Sequence, residues 1–227
     1  MAQDEPRETV HTDDHPGDGV SRGTARMEAF ADAVFAIAFT LPVVEIEVPE
    51  HGALWPQLAE AWPSYLGYGT AAFVIGTYWS HHHFAGAIYR TTGHWFNIAT
   101  VVFLAAIGFI AFPARVFAEN IVHPDLRADA ALFFTCALAV TSATWLLKWE
   151  VGRATGHVDD RLEPAYVARL GWMYRLTLVA YLVAVALACA WWPAGLALCA
   201  LITLRYLIPP ATPGYRVDES PKVEGEA

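Results

Sequence analysis

The chain has 227 residues, of which 56% are hydrophobic and only 16% are charged, and its formal net charge is −9. Soluble domains carry about 25% charged residues, so this composition favours a membrane protein. The negative charge argues against nucleic acid as a partner, because phosphate binding requires clusters of Lys and Arg. The sequence has no Gly-rich phosphate loop, paired-cysteine motif or His-Glu-x-x-His pattern, so we expect neither an enzyme nor a cofactor.

The chain begins with polar and acidic residues over 1–23, which predict a disordered cytoplasmic tail without a cleavable signal peptide. Further along, long runs contain no Asp, Glu, Lys or Arg; they cover 61–89, 91–114, 130–147 and 176–204. Uncharged runs of this length predict spanning helices. With the apolar segment that precedes them, they predict a six-helix transmembrane domain over 24–210, followed by a second disordered tail over 211–227.

Helix signals predict the boundaries of these elements. We expect helices at about 24–47, 56–88 and 94–119, a fourth ending near 151, a fifth from 164 to Trp191–Trp192–Pro193, and a sixth ending at 209–210. Pro113 predicts a kink near the far end of the third helix.

The distribution of Lys and Arg predicts the orientation of the bundle. Cationic side chains gather at one end, whereas the other end has Arg115 and Arg127 at most. The residues at the first end are Arg7, Arg22, Arg26, Arg90, Lys148, Arg153, Arg161, Arg169, Arg205, Arg216 and Lys222. Positive residues favour the cytoplasmic side, so we expect a multi-pass protein of the cell membrane with both termini in the cytoplasm.

The first apolar segment, RMEAFADAVFAIAFTLPVVEIEV over 26–48, combines two stripes with charges close to the apolar run. At helical spacing one stripe is large and aliphatic, formed by Val34, Ile37, Leu41 and Val44. The adjacent stripe is small, formed by Ala29, Ala33, Ala36 and Thr40, and small residues allow close helix packing. Spacing alone favours an ordinary buried helix, and the alternative is an aliphatic stripe that faces a symmetry axis.

The charges of this segment require partners from elsewhere in the molecule. Arg26 and Asp32 are six residues apart, about 240° around a helix, so they cannot pair on one face. Ionisable groups at membrane depth are costly and normally face a bundle interior or a water path. The available partners lie at the end of the second helix and the start of the third: Tyr78, Trp79, His81, His82, His83, His94, Trp95 and Asn97.

The pattern Arg26-x-x-x-Phe30-Ala31-Asp32 resembles the Arg-x-x-x-Phe-Ser-Asp signature of the transmembrane protein 175 family of potassium channels. The resemblance implies an all-α membrane protein with six transmembrane helices per subunit. It further implies a homotetramer in which the first helix of each subunit lines a central pore. Ala31 stands where the family usually has Ser, which removes one hydroxyl from the polar end of this helix.

The same resemblance implies roles for individual residues. It assigns the aliphatic constriction of the pore to Ile37, Leu41 and Val44, with Thr40 as a polar ring between them. It also implies a structural polar network, whose members here are Arg26, Phe30, Asp32, Asn97 and either His81 or His82.

Two further groups have weaker signals. Glu45 and Glu47 belong to an acidic loop without a basic residue, which is either solvated or placed at a pore mouth, where it attracts cations. The three consecutive histidines point about 100° apart on a helix and cannot close on one ion, so we expect no metal site. The three cysteines, an odd number within apolar runs, predict no disulfide framework.

The function that the resemblance implies is passive permeation of potassium, with other copies of the chain, the bilayer and monovalent cations as partners. A constriction without carbonyl ligands gives only a modest preference for potassium, because potassium loses its hydration shell more easily than sodium. One alternative is a proton-coupled secondary transporter that uses Asp32 and the histidines of the predicted second helix, 56–88, as a relay. Another alternative is a membrane scaffold without transport activity.

Overall fold

The computed structural model describes residues 23–216, so the predicted tails lie outside the described residues except for Gly23 and 211–216. Within that range the chain is helical, and its strand-like pairings are single residue pairs. The helices are α1 Ala25–Thr40, a 3₁₀ helix Leu41–Glu45, α2 Leu54–Glu60, α3 Trp62–Gly86, α4 His94–Phe109, α5 Ala111–Asn120, α6 Arg127–Ala154, α7 Pro164–Ala190 and α8 Trp192–Arg205.

The prediction of six transmembrane helices is wrong. In residues 23–216, four helical segments are long and apolar enough to cross a membrane: Ala25–Glu45, His94–Asn120, Arg127–Ala154 and Pro164–Ala190. α3 has sufficient length, with 25 residues, but its many Gly, Tyr, Trp, His, Ser and Thr residues lower its hydropathy. α8 has only 14 residues, fewer than the ~17 that a spanning helix needs. The prediction relied on the length of runs without charged residues, and a segment without charge is not necessarily apolar.

Proline explains why two predicted helices are interrupted. Pro42 has no backbone N–H, so the α-helical part of the first segment ends at Thr40 and the 3₁₀ helix follows. Pro113 likewise cannot donate to the carbonyl group of Phe109, and the predicted helix 94–119 divides at Ile110 into α4 and α5. The kink expected from Pro113 therefore lies one turn before the proline itself.

The core of the bundle fixes α1 along one side only. α1 packs mainly on α3 and α4, and it buries Ala31, Phe35 and Ala38 against them. On the other side of the molecule, α7 lies between α6 and α8 in a very close contact. A Cβ atom at Gly195 of α8 would lie 2.5 Å from the Cβ of Ala188, so no larger residue fits there. One face of α1 is thus buried and the rest is free of the bundle.

Backbone pairing joins the turns at one end of the bundle. The amide of Asp159, in the α6–α7 turn, donates to the carbonyl of Ile88 over 2.8 Å, beside the α3–α4 turn. The amide of Glu163 donates to the carbonyl of Gly214 over 2.9 Å, and Leu162 pairs with Tyr215. The last described residues are therefore fastened to the α6–α7 turn.

Asp159 strengthens that turn through Arg161, whose backbone and guanidinium groups donate to the Asp159 carboxylate over 2.6–3.1 Å. These bonds hold the pKa of Asp159 below its usual value of 3.8. A lowered pKa means that folding stabilises the ionised carboxylate, so this stabilisation is fully present well above the usual pKa of 3.8 and is lost as the pH falls through the lowered pKa.

We expect Asp159→Asn to cost about 1 to 2 kcal/mol at pH 7, because Arg161 loses an ionised acceptor. Thermal unfolding of the detergent-solubilised chain at pH 7 and at successively lower pH measures this cost. Asp160→Asn is the matched control, because the neighbouring carboxylate is largely exposed. Equal unfolding temperatures of the two variants at pH 7 would contradict the assignment.

Candidate ion pathway and anchor of the first helix

The aliphatic stripe predicted in the first segment is largely exposed on the single chain. Ile37, Leu41 and Val44 are 55%, 57% and 73% exposed. Leu41 and Val44 lie in the 3₁₀ helix, where side chains three residues apart eclipse one another, so the change of helix type keeps them in line. We call these three side chains the aliphatic ridge. It borders a groove of about 540 Å³ that α3 and α5 also line.

Thr40 lies between members of the aliphatic ridge and is exposed. Its hydroxyl group donates to the carbonyl oxygen of Ala36 over 2.7 Å. The proton is thus directed to the backbone, and the oxygen lone pairs remain as acceptors towards a cation.

Asp32 is anchored by α3. The indole Nε1–H of Trp79 donates to Asp32 Oδ1 over 3.0 Å, so the partner comes from another helix, as the angle between Arg26 and Asp32 requires. Arg26 and Phe30 are exposed, and within residues 23–216 Arg26 has no hydrogen bond or ion pair. Only the Asp32 part of the predicted network is therefore joined to α3 here.

The hydrogen bonds of the two candidate histidines go to partners outside the first helix, and only the ring of His82 meets α1, 5.5 Å from the ring of Phe35. His81 Nε2 contacts the carbonyl oxygen of Tyr206 over 2.7 Å, beyond the end of α8. His82 is buried and its Nε2 lies 2.9 Å from the Nζ of Lys148 on α6. When Lys148 is charged its ammonium group has only donors, so His82 then accepts this bond at Nε2 and carries its proton on Nδ1. Asn97 Oδ1 is buried and finds no hydrogen-bond donor among the described residues.

Lys148 is the polar residue that the sequence did not single out, because it was counted among the charges around a turn. It lies inside α6, is 3% exposed, and its ammonium group sits 5.4–5.8 Å from the centroids of four aromatic rings. These rings belong to Tyr89, Phe96, Phe103 and Trp145. A cation over such rings is stabilised by their quadrupoles. The predicted fourth helix ends near residue 151, so Lys148 already lay within a predicted helix, and this was the signal available in the sequence.

At the other end of the bundle the acidic loop is partly neutralised. Glu45 forms an ion pair with Arg115 of α5, which also donates to Glu119 over 2.6 Å. These three side chains carry one net negative charge, from two carboxylates and one guanidinium. Glu47 is exposed and forms no ion pair with any residue of the described range. Residues 23–216 contain no group of three or more potential metal ligands.

A helical chain with several membrane-length segments and an unpartnered apolar ridge is a polytopic membrane protein. The family model described as "Endosomal/lysosomal potassium channel TMEM175" matches residues 26–111. A Chamaesiphon minutus protein named as a potassium channel is 34% identical over 172 residues, 72% of this chain and 83% of that protein. A Streptomyces collinus protein, also named as a potassium channel, is 32% identical over 81% of this chain and 91% of its own length.

A solved structure of a protein from this family is also similar to this chain. It is the crystal structure of a lysosomal potassium-selective channel TMEM175 homolog from Chamaesiphon minutus, which superimposes with a TM-score of 0.70 at 29% identity. The match covers 82% of this chain and 96% of that chain. The chain therefore belongs to the TMEM175 family of potassium channels.

Proposed function

We propose that this chain is the subunit of a potassium channel in which four copies surround a pore lined by α1. The observation that carries the proposal is the aliphatic ridge, whose three large apolar side chains are more than half exposed. They lie on α1 and on the 3₁₀ helix that continues it, while α1 buries its other face against α3 and α4. The groove beside the ridge is lined mostly by apolar side chains, so α1 of a second copy can pack there. Family membership supports permeation of potassium, and the fourfold assembly is part of the proposal.

The aliphatic ridge explains how such a pore opens and closes. Where rings of Ile37, Leu41 and Val44 approach closer than the width of a hydrated ion, water leaves and conduction stops. A small rotation or dilation of α1 lets water return. An ion then crosses after shedding part of its shell, which favours potassium over sodium modestly, and the Thr40 oxygens offer it the nearest ligands.

The acidic residues at one end of the first segment and the hydrogen bond between Asp32 and Trp79 at the other end have separate roles in this proposal. Glu47, together with the net negative group formed by Glu45 and its ion pairs, raises the local concentration of cations. At the other end, Asp32 and Trp79 hold α1 in register against α3, and Arg26 is free to meet a neighbouring copy.

We further propose that the protein lies in the cell membrane with both termini in the cytoplasm. The end at which 211–216 meets the α6–α7 turn also carries Arg90, Arg153, Arg161 and Arg216. Such a concentration of cationic side chains favours the cytoplasmic side.

Flux from liposomes tests the function. We expect the purified full chain to release potassium passively, faster than sodium, without need of a proton gradient. Flux that occurs only with an opposing proton gradient and saturates with substrate would support the proton-coupled transporter instead. Absence of any cation flux from liposomes that contain correctly folded protein would support a scaffold.

Asp32→Ala is expected to reduce both tetramer content and potassium flux, because α1 loses its hydrogen bond to α3. Trp79→Phe should act in the same direction, since it removes only the N–H group and keeps a ring. Light scattering and liposome flux measure the two effects. Trp95→Phe, an exposed tryptophan at the same end, is the control. Unchanged assembly and flux in both anchor variants would contradict the role of this bond.

A further inference from the structure

A groove of about 780 Å³ runs between α7 and α8, and no residue of α1 is among those that line it. We call it the α7–α8 groove. Its lining includes Arg169, Trp172 and Leu176 of α7, Leu201 and Arg205 of α8, and Tyr206, which follows α8. No acidic side chain is among the residues that line it.

The lining of this groove has two chemically different parts. Arg169 and Arg205 are exposed, and neither forms an ion pair or hydrogen bond with another residue of the described chain. Leu176 and Leu201 lie one to two helical turns deeper than the arginine on the same helix, and both are more than half exposed. Two free guanidinium groups above an apolar channel fit a molecule with an anionic head and a hydrocarbon tail.

The groove is held in shape by hydrogen bonds. The Tyr206 hydroxyl lies 2.5 Å from Thr177 Oγ1 of α7, and the Tyr206 carbonyl oxygen accepts from His81 of α3 over 2.7 Å. The Tyr166 hydroxyl donates to the carbonyl of Ala211 over 3.2 Å, which places the C-terminal segment across the end of the groove. Trp172 stands exposed on the wall, as tryptophans do at the membrane interface.

We propose that the α7–α8 groove binds an anionic phospholipid, with the phosphate between Arg169 and Arg205 and an acyl chain along Leu176 and Leu201. Basic pockets between helices at one membrane face are typical lipid head-group sites. A lipid is favoured over a free phosphate because the apolar channel continues from the arginines along α7, a membrane-length helix. None of the aliphatic ridge residues lines this groove, so lipid binding and ion flux are separate tests.

Native mass spectrometry of the full chain in detergent, with added phosphatidylglycerol or phosphatidylcholine, tests the site. We expect wild-type protein to retain phosphatidylglycerol preferentially. Each arginine near a lipid phosphate contributes about 1 kcal/mol, so Arg169→Gln with Arg205→Gln should weaken retention roughly 10- to 30-fold. Arg90→Gln with Arg153→Gln is the matched control, because it removes two charges at the same end outside the groove.

Two further measurements separate the effect of charge from that of folding, and a lipid from a free phosphate. Arg169→Lys with Arg205→Lys keeps the charge and should keep most of the preference, and glycerol phosphate tests whether the head group alone competes. Phosphatidylcholine retained as well as phosphatidylglycerol, or equal losses in the groove and control variants, would overturn the proposal. If glycerol phosphate at the same concentration as the lipid displaced all of the bound phosphatidylglycerol, the acyl chain would not contribute to binding. The groove would then be a site for phosphate groups in general, and the lipid proposal would be wrong. Each single Arg→Gln variant should lose part of the phosphatidylglycerol retention. If the double variant does not fold, these single variants provide the test.

Discussion

Replacing Ile37 with Asn is expected to raise potassium flux several-fold. In the proposed pore, Ile37 forms an aliphatic ring that excludes water when it is narrow. An amide at this position hydrogen-bonds water and keeps the constriction hydrated, so the barrier to the ion falls. Initial rates of potassium efflux from liposomes with equal amounts of protein measure the change, and we expect the preference for potassium over sodium to decrease as well.

The control for this variant is Leu182→Asn on α7. Leu182 is 54% exposed, close to the value for Ile37, but it lies on a helix that packs mainly against α6 and α8. It introduces the same amide at the same kind of exposed apolar position, so any general effect on folding or on the bilayer should be shared. Equal flux in the two variants would count against Ile37 as part of a constriction.

Replacing Lys148 with Ala is expected to destabilise the fold by about 2 to 4 kcal/mol. The aliphatic stem of Lys148 fills space among buried rings, and its ammonium group supplies the hydrogen bond to His82. Alanine leaves both a cavity and an unpaired His82 nitrogen. Thermal unfolding of the solubilised protein, followed by size-exclusion chromatography, measures the loss.

Two companion variants separate the contributions of Lys148. Lys148→Met keeps the volume and removes the charge, so its stability should lie between those of the wild type and the alanine variant. Leu147→Ala truncates the neighbouring residue of the same helix, whose side chain is 46% exposed, and should cost much less. If Lys148→Ala unfolds at the same temperature as Leu147→Ala, the buried pair does not stabilise the bundle.

The presence of the first helix could be predicted from local signals, whereas spacing alone favoured a buried helix and only the family resemblance predicted an outward-facing stripe. A charged and aromatic signature precedes an apolar stripe at helical spacing, and the structure leaves Ile37, Leu41 and Val44 exposed together. The 3₁₀ helix Leu41–Glu45, which contains Pro42, could not be predicted from periodicity, because a 3.6-residue repeat was assumed throughout. The aliphatic ridge persists only because a step of three residues suits the 3₁₀ geometry.

Contacts between distant residues could not be predicted. Trp79 binds Asp32, and Lys148 binds His82, across sequence separations of 47 and 66 residues. Sequence spacing restricts which face a side chain occupies but does not identify its neighbour on another helix. For the same reason Arg115 was absent from the prediction of an acidic mouth, although its ion pair with Glu45 changes the charge there.

The count of spanning helices was wrong for a different reason. Uncharged length was treated as sufficient, whereas α3 combines 25 residues with many polar aromatic and hydroxyl side chains. Part of its polar surface turns into the bundle, where His82 is buried and Tyr78 is half-buried.

The central claim is that the aliphatic ridge faces a water-filled path between copies of the chain. The direct measurement is potassium flux through Val44→Cys, in a background with Cys136, Cys189 and Cys199 replaced by Ala, before and after a membrane-impermeant cationic thiol reagent. We predict that modification blocks most of the flux and that a reducing agent restores it. A Val44→Cys channel that conducts equally before and after treatment, with its thiol unlabelled, would place the ridge in lipid and contradict the claim.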